Sequence, residues 1–145
     1  MNRDFFDMLS ALSEAGAEFL IVGAYALAAH ARPRATGDID IWVNPAPANA
    51  ERVMRALRTF GAPLHDLTTA DLTKSDTVFQ IGVDPCRIDI LSGVSGLRFD
   101  DAWQRRLELE IEGVRVPVLG REDFIVNKRA SNRVKDRLDL EQLGE

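Results

Sequence analysis

One cysteine, two histidines and no long apolar run are the scarcities that first bound this 145-residue chain. A lone Cys86 excludes an internal disulfide, so the fold is not a stapled scaffold, and the residue itself reads as a small buried side chain in a reducing compartment. No apolar stretch reaches the roughly 18 residues of a bilayer span, and the N-terminus carries Asp4 and Asp7 where a signal sequence would need apolar residues. A soluble, cytoplasmic protein without a membrane partner is expected. Net positive charge is missing too. At a net charge of -5 and a pI near 5.1 the chain has no overall electrostatic footprint for nonspecific nucleic-acid binding, which leaves only a local basic patch for such a role. Repeats, linkers and low-complexity segments are absent.

What is present is an ordinary globular composition, 46% hydrophobic and 28% charged, in a length suited to one domain, residues 1–145. Phe5, Phe6, Met8, Leu9 and Leu12 fall at helical spacing within residues 2–15, with Gly16 as the stop. Glu18 to Val22 is a short apolar run entering Gly23, and the Ala-rich stretch from Ala24 to Ala31 favours helix until Pro33 ends it. Residues 38–43 alternate with period two, as a half-buried strand does. Pro45 and Pro47 open a third helix striped by Val53, Met54, Leu57 and Phe60 and closed by Gly61. Residues 62–76 read as irregular or as a short helix. Strands at 77–83 and 87–91, joined at Asp84-Pro85, precede a hairpin of 106–111 and 114–119 and two helices at 121–128 and 133–143. The pattern predicts an α/β or α+β fold in two layers: a mixed sheet with helices packed on one side, and C-terminal helices.

The chemistry concentrates in carboxylates. Alternation puts Asp38 and Asp40 on one strand face about 6–7 Å apart, where two like charges repel unless a cation lies between them. Asp89, mid-strand on a neighbour, supplies a third ligand, and three such carboxylates suit the divalent ions of two-metal phosphoryl chemistry. Upstream, Gly23 and Ala24 at a strand-to-helix turn offer bare backbone N–H groups to phosphate oxygens. By itself an Asp-x-Asp is equally a solvated edge strand; the glycine turn and Asp89 are what favour a metal site.

Together these residues resemble the nucleotidyltransferase superfamily of the DNA polymerase beta-like fold, marked by a glycine turn, a helix and Asp-x-Asp on the next strand: here Gly23-Ala24 and Asp38-Ile39-Asp40. With Arg34-Ala35-Thr36-Gly37, Arg87-Ile88-Asp89-Ile90-Leu91, Asn127-Lys128 and Lys135-Asp136, nearly the whole chain is similar to AbiEii-type and uncharacterised bacterial nucleotidyltransferases, several of them toxins in toxin–antitoxin or phage-defence systems. The resemblance implies that Asp38, Asp40 and Asp89 bind Mg²⁺ or Mn²⁺ and act catalytically, that Gly23 and Ala24 hold the triphosphate of an NTP, that Lys128 contacts the nucleotide, and that Asp136 belongs to the same nucleotide-binding set. Asp89, from the separate strand, would help deprotonate the acceptor. Ala24 departs from relatives with Gly or Ser there, and few residues follow the last strand to build an acceptor site.

Other residues admit two readings. Arg34 is a phosphate ligand or a surface ion-pair partner, and Thr36 bonds a phosphate or caps the strand entry. Tyr25 stacks on a base or lies in the core. His30 ends a helix, where the dipole favours a cation. Arg121, Lys128, Arg129, Arg133, Lys135 and Arg137 make a solvated helix face or a patch for a triphosphate or RNA end; Lys128 and Lys135 share a face only if Ser131-Asn132 does not break the helix. The function expected is transfer of a nucleoside monophosphate from NTP to an acceptor: a tRNA 3′ end, a cognate protein or a small molecule. The alternative is a weakly active or inactive binding module of a toxin–antitoxin pair.

Overall fold

The computed structural model describes residues 1–30, 37–83 and 85–145; the expected helix end at Pro33 and the turn residue Asp84 lie outside them. The first helix, α1 (Arg3–Glu14), is capped by Asn2, whose Oδ1 accepts the N–H of Asp4 at 2.8 Å and of Phe5 at 3.2 Å. That satisfies donors which a helix cannot pair internally. Phe5, Met8, Leu9 and Leu12 form its buried stripe. Strand β1 (Phe19–Val22), buried throughout, runs directly into α2 (Gly23–His30). Strand β2 (Ile39–Val43) follows, then α3 (Pro47–Phe60), which begins on Pro47 and ends at Gly61 in the left-handed conformation, φ +89°. After α4 (Thr69–Leu72) come β3 (Val78–Ile81), β4 (Ile88–Leu91), α5 (Phe99–Gln104), the hairpin β5 (Leu107–Ile111) and β6 (Val114–Val118), and the helices α6 (Arg121–Ser131) and α7 (Val134–Gln142).

The six strands form one mixed sheet in the order β3-β4-β2-β1-β6-β5. Strand β1 is antiparallel to β2 and parallel to β6, and β2 is parallel to β4. This is the expected α/β architecture. Helices α1 and α3 pack on each other and reach β6 and β2. Ile39, Ile41 and Val43 alternate along β2 with Asp40 and Trp42, so one sheet face is apolar while the other carries a carboxylate. Buried Asn49 pins the start of α3 to the strand ends: its Oδ1 accepts the N–H of Glu18 at 2.7 Å, and its Nδ2 donates to the carbonyls of Glu18 and Asn44 at 3.0 and 2.9 Å. His30 is the last described residue of α2, and its Nε2 donates to the Leu119 carbonyl at 2.7 Å, tying this helix to the end of β6.

Several expectations are corrected. Cys86 is exposed, because it falls in the β3–β4 turn, where its N–H bonds the Val83 carbonyl at 3.2 Å. Helix α5 has no counterpart in the sequence reading: it is six residues long and buries only Phe99 and Ala102, too little for an amphipathic stripe to register. Helix α6 runs on to Ser131, and Asn132 at φ 49° then separates it from α7. Among the described residues, no helix is long and apolar enough to cross a membrane.

Candidate active site

Register, more than proximity in sequence, assembles the carboxylates. Asp40 on β2 stands directly opposite Asp89 on the parallel strand β4, and Val22 on β1 stands opposite Asp40 from the other side. Residues paired in this way share a sheet face, so one row carries Val22, Asp40 and Asp89, with Asp38 one pleat earlier. Gly23 immediately follows Val22. Its φ is +68°, and a Cβ there would run into the Asp40 carboxylate. Glycine is thus required twice over, by backbone conformation and by space, and its absent side chain is what lets the N-terminus of α2 lie against the acid row. Gly23→Ala should therefore lower the melting temperature by several degrees, since the left-handed backbone alone costs an alanine about 1 kcal/mol, and should displace Asp40; a melt identical to wild type would refute this account.

Arg87 holds two of the three acids. Its N–H donates to Asp38 Oδ1 at 2.9 Å and its Nη2 lies 3.5 Å from Asp38 Oδ2, while Nε and Nη2 donate to Asp89 Oδ1 and Oδ2 at 2.6 and 3.0 Å. Asp40 faces the negative charge that remains. Burial first, and then the neighbouring Asp89 carboxylate, push its pKa up to about 6, against a smaller downward pull from Lys135 and Lys128. Among the described residues no three acidic, histidine or cysteine side chains converge on one point as a ready metal cage, because Arg87 holds Asp38 and Asp89. The donor set nonetheless fits a hard divalent cation: three carboxylates on one face, two of them facing each other closely enough to resist ionising together.

The opposite wall comes from α6 and α7. Lys128 is 4% exposed, and its Nζ lies 3.2 Å from both Asp136 Oδ1 and Asp139 Oδ2, themselves 0% and 2% exposed. Asp136 Oδ2 also accepts the Ser131 hydroxyl at 2.7 Å and, at the start of α7, the Arg133 N–H at 3.0 Å and Nε at 2.9 Å. Burial opposes ionisation of Asp136, but these donors outweigh it and hold the carboxyl well below the usual carboxylate range. The two walls enclose a cleft of about 730 Å³. Gly23, Ala24, Asp38, Asp40, Asp89 and Lys128 all line it, as do Lys135, Arg133 and Arg87. Lys128 and Lys135 reach the same cleft despite the break at Asn132.

Asp136 does not line the cleft; it lies behind Lys128. Arg34 and Thr36 lie outside the described residues. Tyr25 is half-buried against the core, packed edge to face on Phe5 with ring centroids 5.7 Å apart. Sequence reasoning had Arg87 only as part of a motif, although its alternation with Ile88 already put it on the Asp89 face. Asp139 gave no signal: three residues after Asp136, it reads as one more charge on a solvated helix.

The whole chain, residues 1–145, matches the family described as "Nucleotidyl transferase of unknown function". The chain belongs to that nucleotidyltransferase family. It is by that membership an enzyme, a nucleotidyltransferase. Among solved structures, this nucleotidyltransferase is similar to a candidate nucleotidyltransferase from Thermotoga maritima, with a TM-score of 0.64, 18% identity, and 96% of this chain and 89% of that one covered. It is also similar to the lincosamide antibiotic adenylyltransferase LnuA in its lincomycin-bound form, with a TM-score of 0.63, 13% identity, and 100% and 97% covered. Both likenesses speak to the fold. Among curated proteins none matches.

Proposed function

We propose that this nucleotidyltransferase is metal-dependent and moves a nucleoside monophosphate from an NTP to a hydroxyl acceptor, releasing pyrophosphate. The observation that carries the reading is the acid row, with Asp40 facing Asp89 across parallel strands and Gly23 packed against it. Asp38, Asp40 and Asp89 would hold Mg²⁺ or Mn²⁺, which when bound supplies neutralisation of the α-phosphate and of the departing oxygen. The first-turn N–H groups of Gly23 and Ala24 take phosphate oxygens, as helix N-termini do. Lys128, anchored by Asp136 and Asp139, and Lys135 and Arg133 beside it present positive charge to the triphosphate. Asp136 serves the nucleotide through Lys128. Arg34 and Thr36 complete the proposed phosphate contacts.

In the transfer, the acceptor hydroxyl oxygen bonds to the α-phosphorus. The bond from that phosphorus to the bridging oxygen breaks, pyrophosphate leaves with the electron pair, and the hydroxyl proton passes to Asp89. What supports this last assignment is position: Asp89 comes from a separate strand and stands opposite Asp40 across β2 and β4. LnuA, by name an adenylyltransferase, makes ATP the first nucleotide to try.

The test incubates the protein with each α-³²P-labelled NTP, Mg²⁺ and a cell lysate. Wild type should label a lysate component, and Asp38→Ala/Asp40→Ala should reduce that label about a hundredfold or more. Metal-dependent NTP binding without label from any nucleotide would instead favour a binding module.

A further inference from the structure

Beyond the carboxylate cleft the fold holds a second cavity, of about 440 Å³. The two adjoin at Gly93 and Val94, which line both. Their order follows the strands. The row Asp40–Asp89 is followed two residues on by Trp42 opposite Leu91, on the same face and about 7 Å further along. Trp42 and Phe99, 1% and 5% exposed, lie beneath the second cavity, and Ala46, Val94 and Leu97 form its accessible apolar wall. A molecule in this cavity thus has the acid row one short molecular length away.

The wall is backed by packed aromatic rings and is largely uncharged. Trp42 meets Phe99 edge to face with ring centroids 5.1 Å apart, Phe99 stacks on Trp103 at 5.7 Å, and the Arg106 guanidinium lies 3.9 Å over the Trp103 ring. Gly93 stays bare because a Cβ would run into the Ser75 carbonyl. Charge at the second cavity amounts to Arg98 and Asp100, both exposed and of opposite sign. The cations that could track a phosphate backbone, Lys128, Arg133 and Lys135, line the first cleft only.

We infer that this cavity is the acceptor subsite and that it takes a compact hydroxylated small molecule, with its apolar face against Ala46, Val94 and Leu97 and its reacting hydroxyl directed over Leu91 toward Asp40 and Asp89. The volume suits a drug-sized ligand, and a lining whose described charges are Arg98 and Asp100, of opposite sign, offers RNA no phosphate track. The inference rests on the transferase reading above and narrows its acceptor.

The experiment separates a cell extract into RNA, protein and a small-molecule filtrate, and offers each to the full-length protein with Mg²⁺ and the four α-³²P-labelled NTPs. Label should enter the filtrate. Ala46→Trp, which fills the subsite from its rim, should lower filtrate labelling about tenfold or more. Binding of a fluorescent methylanthraniloyl-ATP should change in this variant by no more than roughly twofold, which guards against a merely unfolded protein. Label confined to RNA or protein, or filtrate labelling untouched by Ala46→Trp, would overturn the inference while leaving the transferase standing. No label in any fraction would remove both.

Discussion

Replacing Asp40 with asparagine should leave the protein unable to transfer a nucleotide and, without metal, more stable than wild type. The two results have one cause. In the folded chain the Asp40 carboxyl is buried beside Asp89, and its pKa rises from 3.8 to about 6. A carboxyl whose folded pKa exceeds its unfolded value contributes stability below the unfolded value and loses it as pH rises through the folded one. Metal-free wild type should therefore weaken between about pH 4 and pH 6 from this group and stay weakened above. Asparagine carries no charge to repel Asp89 and can donate a hydrogen bond to it. At neutral pH the gain is expected at about 1–3 kcal/mol, one to two pKa units at 1.36 kcal/mol each. Urea unfolding of both proteins in chelator at pH 5 and pH 7.5 checks this: the variant's advantage should grow with pH. An Asp40→Asn protein that is no more stable than wild type at pH 7.5 would mean that the two carboxylates do not oppose each other. On the proposed metal site, saturating Mg²⁺ should reverse the order, because a cation held by the folded wild-type protein alone would stabilise it by mass action.

What could be read in the sequence was local. The period-two run through Asp38, Asp40 and Trp42 identified β2 and put its two acids on one face, and Gly23 between an apolar run and an Ala-rich helix marked a turn that the structure shows only glycine can make. The mixed sheet followed from the alternation of elements. What escaped depends on distant segments meeting. Arg87 bonds Asp38 from 49 positions away, Asn49 reaches back to Glu18, and neither partner leaves a mark on the other's neighbourhood in sequence. Asp136 and Asp139 look like a solvated helix face until α7 folds back on α6 and buries them around Lys128. Cys86 shows the opposite error: its residue type predicts burial, but a turn position overrides it. The second cavity was illegible for the same reason, since the ends of β2 and β4 and helix α5 meet only in three dimensions.

Lys128→Ala is expected to cost more stability than any other single change in the cleft. Its ammonium lies 3.2 Å from two carboxylates that are almost wholly buried, and alanine would leave both facing each other without it. Removing one partner from a buried ionic cluster costs about 3–5 kcal/mol, a large share of the 5–15 kcal/mol typical of a domain. The melting temperature should fall by roughly 10–20 °C. Asp136→Asn should cost less, about 1–3 kcal/mol, because Lys128 keeps Asp139 and the amide oxygen still accepts one donor. The pair also predicts an acid signature. Asp136 is held below the usual carboxylate range, so its contribution is present above the unfolded pKa, near pH 4, and is lost as pH falls through and below that value. Wild type should therefore lose stability faster than Asp136→Asn on acidification below about pH 4, which paired thermal melts would read directly. A Lys128→Ala protein melting with wild type would show that α7 is not held by this cluster. If the cluster does hold α7, the same substitution reaches the opposite wall as well: Lys128 is one of two lysines lowering the proton affinity of Asp40, and its loss should raise that affinity further.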